Sequence, residues 1–243
     1  MNKLDADILS LDYACTLFWE PGCDYKYSVR YIRDTLNKLI EILEKHGFST
    51  KKIGEIDPYI LYRSIWKNYE QCFPNNEVWH RYLLLKFFYK LGFEIDSKLL
   101  DQLYEYFIEE RVKHFTPMYR LDLLLGYLKS RGYELVLTTA IASHDFIMKI
   151  LEKYDCLKYF KLVFSTQLVG VKKNDERFYR ELVDVLNTEP NRILHVGDSI
   201  EGDIIPAKKI GLKTIYYGWR TLCRPIDPEP CILDLWEIQN VLK

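Results

Sequence analysis

Four short stretches of this chain carry the residues that could do chemistry together. Asp12 follows the apolar run Ile8-Leu9-Ser10-Leu11. The pair Thr138-Thr139 follows Leu135-Val136-Leu137. Lys173 lies downstream of Leu162-Val163-Phe164, and Gly197-Asp198-Ser199 follows Ile193-Leu194-His195-Val196. Oxygen ligands suit a hard divalent cation such as Mg²⁺. An ammonium balances phosphate charge, and backbone N–H groups just past a strand grip an anion. Brought to one edge, these groups would hold a cation beside a phosphate.

The elements that must position them are legible in the pattern. The runs before Asp12, Thr138, Lys173 and Asp198, with a fifth at Thr214-Ile215-Tyr216-Tyr217, are strand-length and show no in/out alternation. Strands buried on both faces of a parallel sheet read this way. Amphipathic stretches at about 119–130, 143–154, 175–187 and 201–210 separate the later strands, and Gly132 and Gly211 sit where helices should stop. A βαβα order predicts a doubly wound α/β fold, which binds ligands at the carboxyl ends of its strands. Residues 18–115 differ. They carry helical periodicity at 28–45, 58–72, 77–91 and 97–113, broken at Gly47, Pro58, Pro74 and Gly92. A crossover that long is uncommon as a plain loop. The expectation is an all-helical cap over 18–115, inserted in a core built from 1–17 and 116–243. Its aromatics, Trp66, Tyr69, Trp79, Tyr82, Phe87 and Phe88, are expected to form the cap's own core.

In this order the motifs resemble those of the haloacid dehalogenase (HAD) superfamily. Asp12-Tyr13-Ala14-Cys15-Thr16-Leu17 stands where that family has D-x-D-x-T-hydrophobic. Thr138 fits the second motif, and Lys173 in Gly170-Val171-Lys172-Lys173-Asn174 fits the third. Gly197-Asp198-Ser199-Ile200-Glu201-Gly202-Asp203 matches the fourth, G-D-S-x-x-x-D, in full. The resemblance implies a Rossmann-like core with a helical cap and a hydrolase of the phosphatase type. It implies Asp12 as nucleophile, with Mg²⁺ held by Asp12, the Ala14 carbonyl and Asp198, and with Asp203 in or near that shell. Thr138, Lys173 and the N–H groups of Tyr13, Ala14 and Thr139 would hold the phosphoryl group. Lys172 is expected to be solvated and His195 to be a satisfied core histidine.

One position departs from the family pattern. The second aspartate of the first motif, the general acid–base of family phosphatases, is Ala14 here. Such help is typically worth ~10²–10⁴ in rate. Cys15 and Thr139 replace a usual Gly and Asn. Three readings of Ala14 stay open: a cap residue supplies the proton or the leaving group needs none; the substrate is a phosphonate, with a cap lysine (Lys51, Lys52 or Lys67) as Schiff base; or the protein binds phosphate without turnover. A dehalogenase fits less well, because family dehalogenases work without metal and lack the Asp that is Asp198 here.

Composition narrows the partners. The 243 residues are 48% hydrophobic and 28% charged, with a formal net charge of -1. That gives no electrostatic footprint for nucleic acid or anionic membrane, and leaves a small phosphorylated or phosphonate substrate. No apolar run approaches a membrane span, and the polar start is unlike a signal peptide, so a cytoplasmic protein is expected. The six cysteines form no C-x-x-C pair. Reduced thiols are the leading expectation, with a structural disulfide as the rival.

Overall fold

The computed structural model describes residues 3–19, 23, 25–49, 56–140, 143–220, 222–224, 226–228 and 230–243, with only the backbone described at 25–27. Lys51 and Lys52 lie outside the described residues.

The core is a six-stranded sheet of β1 (Ile8–Asp12), β4 (Glu134–Thr139), β5 (Phe160–Ser165), β6 (Ile193–Gly197), β7 (Lys213–Tyr217) and β8 (Cys231–Ile232). Its order is β5-β4-β1-β6-β7-β8, and every pairing is parallel. The chain builds outward from β1 through β4 to β5, then returns to add β6, β7 and β8 on the other side. The direction of winding thus reverses at β1, the switch point where such sheets bind ligands. Helices α5 (Leu121–Ser130), α6 (His144–Lys153), α7 (Thr166–Val169), α8 (Glu176–Leu186), α9 (Ile205–Ile210) and α10 (Ile238–Val241) accompany the sheet. All five residues of β1 are buried, as its unbroken apolar run predicts. Gly211 ends α9 with φ +96°, the left-handed conformation that glycine adopts without steric cost.

Between β1 and β4 lie α1 (Tyr25–Lys45), α2 (Pro58–Cys72), α3 (His80–Lys90) and α4 (Ser97–Val112), close to the predicted windows. Asp57 caps α2 by accepting from the N–H groups of Tyr59 and Ile60, and Pro58 begins that helix, where its missing N–H costs nothing. The parallel sheet with an inserted helical cap is therefore present. Its edge differs from expectation. Phe18–Trp19 (β2) pairs antiparallel with Thr116–Pro117 (β3), so the segment begins in a two-stranded ribbon rather than a helix. Two residues are too few to show a period.

Phe87 and Phe88 are fully buried, but Trp79 and Tyr82 are exposed, against expectation. One apolar cluster runs without a break from the cap (Leu36, Leu83, Phe107) through Tyr13, Phe18 and Phe115 to the sheet (Leu11, Leu137). Arg111 of α4 stacks on Phe146 of α6 at 4.6 Å, and Tyr104 shares a 2.7 Å hydrogen bond with Ser143. No helix among the described residues is long and apolar enough to cross a membrane.

The cysteines correct the expectation of reduced thiols. Cys15–Cys23 and Cys223–Cys231 are disulfides, while Cys72 and Cys156 are free. Each bridge spans eight residues in sequence, a spacing outside the metal-type patterns. Cys15 has φ +57°, which accounts for the glycine usual at that position; here a bridged cysteine holds the turn instead.

Candidate active site

The nucleophile position is set by the sheet. Asp12 ends β1 between β4 and β6, and its side chain is buried. Lys173 reaches it from the loop between α7 and α8: its ammonium lies 2.5 Å from Asp12 Oδ1 and 2.6 Å from Asp203 Oδ1. Asp203 sits on a π-helical turn, Ile200–Ile204, that follows β6 and leads into α9. The sequence reads as plain helix from about 201, but the wider turn folds Asp203 back beneath the strand end. Its Oδ2 accepts from the Ser199 N–H at 2.9 Å, and Ser199 Oγ accepts from the Gly202 N–H at 2.9 Å. A side chain at Gly197 would collide with the Asp203 carboxyl carbon, so the first and last residues of G-D-S-x-x-x-D constrain each other.

Beneath the carboxylates runs a buried polar chain. His195 Nε2 lies 3.2 Å from Asp203 Oδ1, and Nδ1 lies 2.9 Å from Ser10 Oγ. Tyr179 bonds the same His195 Nε2 at 3.2 Å and donates to the Gly202 carbonyl at 2.9 Å. His195 is thus the satisfied core histidine expected, and burial lowers its pKa and keeps it neutral. It also fixes Asp203.

Oxygens of Asp12, Asp198 and Asp203 lie within 4.8 Å of one another, a group that could hold a metal ion. Their electrostatics are uneven. Burial, opposed by Lys173 and reinforced by Asp203 and Asp198, pushes Asp12 well above the usual carboxylate range. Burial and the charge of Asp203 push Asp198 up to about 6, with Arg220 opposing at 3.5 Å. Burial would raise Asp203 too, but Lys173 and His195 outweigh it and hold that carboxyl low. Burial likewise works against the Lys173 charge, yet Asp12 and Asp203 raise its pKa. Three carboxylates around one ammonium leave an excess of negative charge that a cation would relieve.

The two threonine hydroxyls differ in their partners. Successive side chains of a strand alternate between faces. Thr138 is in register with Asp12, and its hydroxyl lies 3.4 Å from both the Leu11 carbonyl and Ser10 Oγ, inside the sheet. Thr139 Oγ1 is buried and has no hydrogen-bond partner among the described residues. It precedes Ala140, which lines the cleft. Tyr13 is fully buried against Phe18 and Phe115, and its N–H already donates to the Thr138 carbonyl at 3.0 Å within the sheet pairing, so the phosphoryl contact expected of that N–H is not available.

A cleft of about 420 Å³ brings Asp12, Ala14, Lys173, Asp198 and Asp203 together with groups the sequence does not flag. Trp66, Glu70 and Glu77 line it from the cap. Lys172 is not simply solvated: it donates to Glu70 at 2.9 Å across the cleft. Backbone bonds clip the same walls together, Glu77 N–H to the Gly170 carbonyl and Lys172 N–H to the Asn75 carbonyl, both 3.0 Å. Thr166 donates to Glu77 at 2.7 Å, a bond between residues 89 apart. No local pattern announces such a pair. The nearest signal is the polar run around Pro74, which breaks α2 from α3. Lys67 is exposed and does not line the cleft.

Residues 81–217, more than half of the chain, match the family described as haloacid dehalogenase-like hydrolase. The phosphoglycolate phosphatase of Aquifex aeolicus is 28% identical over 115 residues, 47% of this chain. That match spans about half, 53%, of the Aquifex enzyme's length. The pyrimidine 5'-nucleotidase PynA of Streptococcus pneumoniae is 22% identical over 214 residues, 84% of each protein. A 2-haloacid dehalogenase from Pseudomonas syringae pv. Tomato DC3000 has the same fold, with a TM-score of 0.75 over 99% of this chain and 98% of that one, at 19% identity.

Proposed function

Because the chain belongs to the haloacid dehalogenase-like hydrolases, we propose that it is a Mg²⁺-dependent phosphatase acting on a small phosphorylated metabolite through an aspartyl-phosphate on Asp12. The observation that carries this reading is the convergence of Asp12, Lys173, Asp198 and Asp203 on one cleft at the switch point of the sheet. The donor set fits the metal: all oxygen, with Asp12 and Asp203 buried and Asp198 half-buried at the cleft, and three carboxyl groups set against the one Lys173 ammonium. Asp12, Asp198 and the Ala14 carbonyl would hold it, and Asp203, already bonded to Lys173, His195 and Ser199, would stand behind them. When bound, Mg²⁺ would offset the charge of the phosphoryl oxygens and favour the ionised form of Asp12.

The chain's own groups do the rest. Asp12 attacks phosphorus and forms the acyl phosphate. Lys173, held between Asp12 and Asp203, stabilises the equatorial oxygens as their charge builds. Thr139, rather than Thr138, offers its free hydroxyl, with the Ala14 N–H beside it; the Tyr13 N–H is already given to the Thr138 carbonyl. Residues 18–115 act as the cap domain, docked over the cleft to exclude water from it. The relatives named phosphoglycolate phosphatase and pyrimidine 5'-nucleotidase support a phosphate ester as substrate. For the phosphonate alternative, Lys67 stands away from the cleft, and Asp198 beside Asp12 disfavours metal-free dehalogenation.

The test is a panel of alkyl phosphates, aryl phosphates and phosphonates assayed with Mg²⁺ and after its removal by chelation. Hydrolysis of phosphate esters only when Mg²⁺ is present is expected. Phosphate binding without turnover, or C–P cleavage that borohydride blocks, would overturn the reading.

A further inference from the structure

The site lacks a proton donor where its first motif carries Ala14, and the cleft contains a replacement. In-line displacement by Asp12 expels the leaving oxygen on the far side of phosphorus, toward the cap. Among the described residues, six carboxyl groups line the cleft: Asp12, Asp198, Asp203, Glu70, Glu77 and Glu201. Asp12 is the nucleophile position, and Asp198 and Asp203 belong to the metal and to Lys173. Glu70 is ion-paired with Lys172. Glu201 is exposed on the same turn as Asp203, on the core side. Only Glu77 comes from the cap, is half-buried, and has no cationic partner in hydrogen-bond contact among the described residues.

We infer that Glu77 is the general acid–base of this enzyme, supplying from the cap the proton that Ala14 cannot. Its position is fixed on both sides. Oε2 accepts from the Thr166 hydroxyl at 2.7 Å, Oε1 from the Val78 N–H at 3.0 Å, and its own N–H is tied to the Gly170 carbonyl. A carboxylate has about four acceptor sites, so sites remain for a proton and a substrate oxygen. Burial raises its pKa, as the nearby charge of Glu70 does more weakly; the Thr166 and Val78 bonds and Lys172 oppose. That direction suits a group that must carry a proton into the first step.

This inference rests on the phosphatase reading. In the first step Asp12 Oδ bonds to phosphorus, the P–O bond to the leaving group breaks, and its electron pair takes the Glu77 proton. The products are an alcohol, the aspartyl-phosphate and a Glu77 carboxylate. In the second step that carboxylate takes a proton from water as the water oxygen attacks phosphorus. Inorganic phosphate leaves, Asp12 is restored, and Glu77 is again protonated.

The experiment compares Glu77→Gln with wild type on an alkyl phosphate and an aryl phosphate, both with Mg²⁺. Turnover of the alkyl ester is expected to fall ~10²-fold or more, and that of the aryl ester much less, because its leaving oxygen needs little protonation. The fall of kcat/KM at high pH should vanish, while the thermal shift produced by Mg²⁺ is kept. Adding Ala14→Asp to the Glu77→Gln protein should restore alkyl turnover. Thr166→Val, which loosens the cap clip but keeps the carboxyl, should change KM without changing the dependence on leaving group. Equal losses on both esters, or a loss that Ala14→Asp leaves unrepaired, would assign Glu77 to cap docking alone. Unchanged alkyl turnover in Glu77→Gln would overturn the inference and spare the phosphatase reading; a wild type inert on both esters would overturn both.

Discussion

At the scale of single residues, the site is a problem of charge. Asp198 is the group whose titration should be visible, since burial and Asp203 raise it to about 6. A ligand carboxylate must be ionised, so Mg²⁺ affinity should rise as pH increases through about 6 and then level off. Without metal the sign reverses. A carboxyl whose folded pKa exceeds its unfolded one favours folding while protonated, so its contribution is lost as pH rises through that same range. The thermal shift produced by Mg²⁺ should therefore grow across the window, and Asp198→Ala should abolish it while keeping the fold. A shift that ignores pH, or survives Asp198→Ala, would remove Asp198 from the metal site. How much of this was legible follows from spacing. Asp198 and Asp203 were readable because one turn ties them, through Gly197 and Ser199, at fixed separation. Which of the two threonine hydroxyls lacks a partner was not readable, because register on a strand, not residue type, decides it. Glu77 carried no signal, because its partner Thr166 is 89 residues away.

At the scale of elements, breakers and caps located eight of the helices but not the four-residue α7 and α10, and unbroken apolar runs located five strands. The two-residue strands β2, β3 and β8 escaped because they are shorter than any period. The disulfides escaped because pairing depends on loops whose path the sequence does not dictate. Each closes a loop of eight residues, which chain-entropy arguments value at about 2–3 kcal/mol. Reducing both should lower the guanidinium midpoint clearly, with the native signal retained in the absence of denaturant. An unchanged midpoint would mean the bridges are structurally idle. Gly197→Ala makes a second case. Its Cβ must displace Asp203, so loss of the Mg²⁺-induced thermal shift is expected, together with a stability cost of about 1–3 kcal/mol. Retained metal binding would show that Asp203 can move without consequence.

At the scale of the whole molecule, cap and core are more closely joined than a freely hinged lid would be. A single apolar cluster crosses between them, and the 75–77 and 170–172 segments are clipped beside Lys173. The cap's docking therefore sets the position of the Lys173 loop as well as the roof of the cleft. Sequence periodicity foretold the two parts but not this continuity, which arises from side chains such as Tyr13 and Phe115 meeting across the ribbon. The central claim, that this assembly works through a covalent intermediate on Asp12, is open to one direct measurement. The intact protein is mixed with an aryl phosphate and Mg²⁺, quenched in acid during turnover, treated with borohydride to reduce any acyl phosphate, and mapped by mass spectrometry. The account predicts modification at Asp12 alone, absent without Mg²⁺ and absent in an inactive Asp12→Asn protein. Steady hydrolysis with an unmodified Asp12, and an Asp12→Asn protein that still turns over, would contradict it.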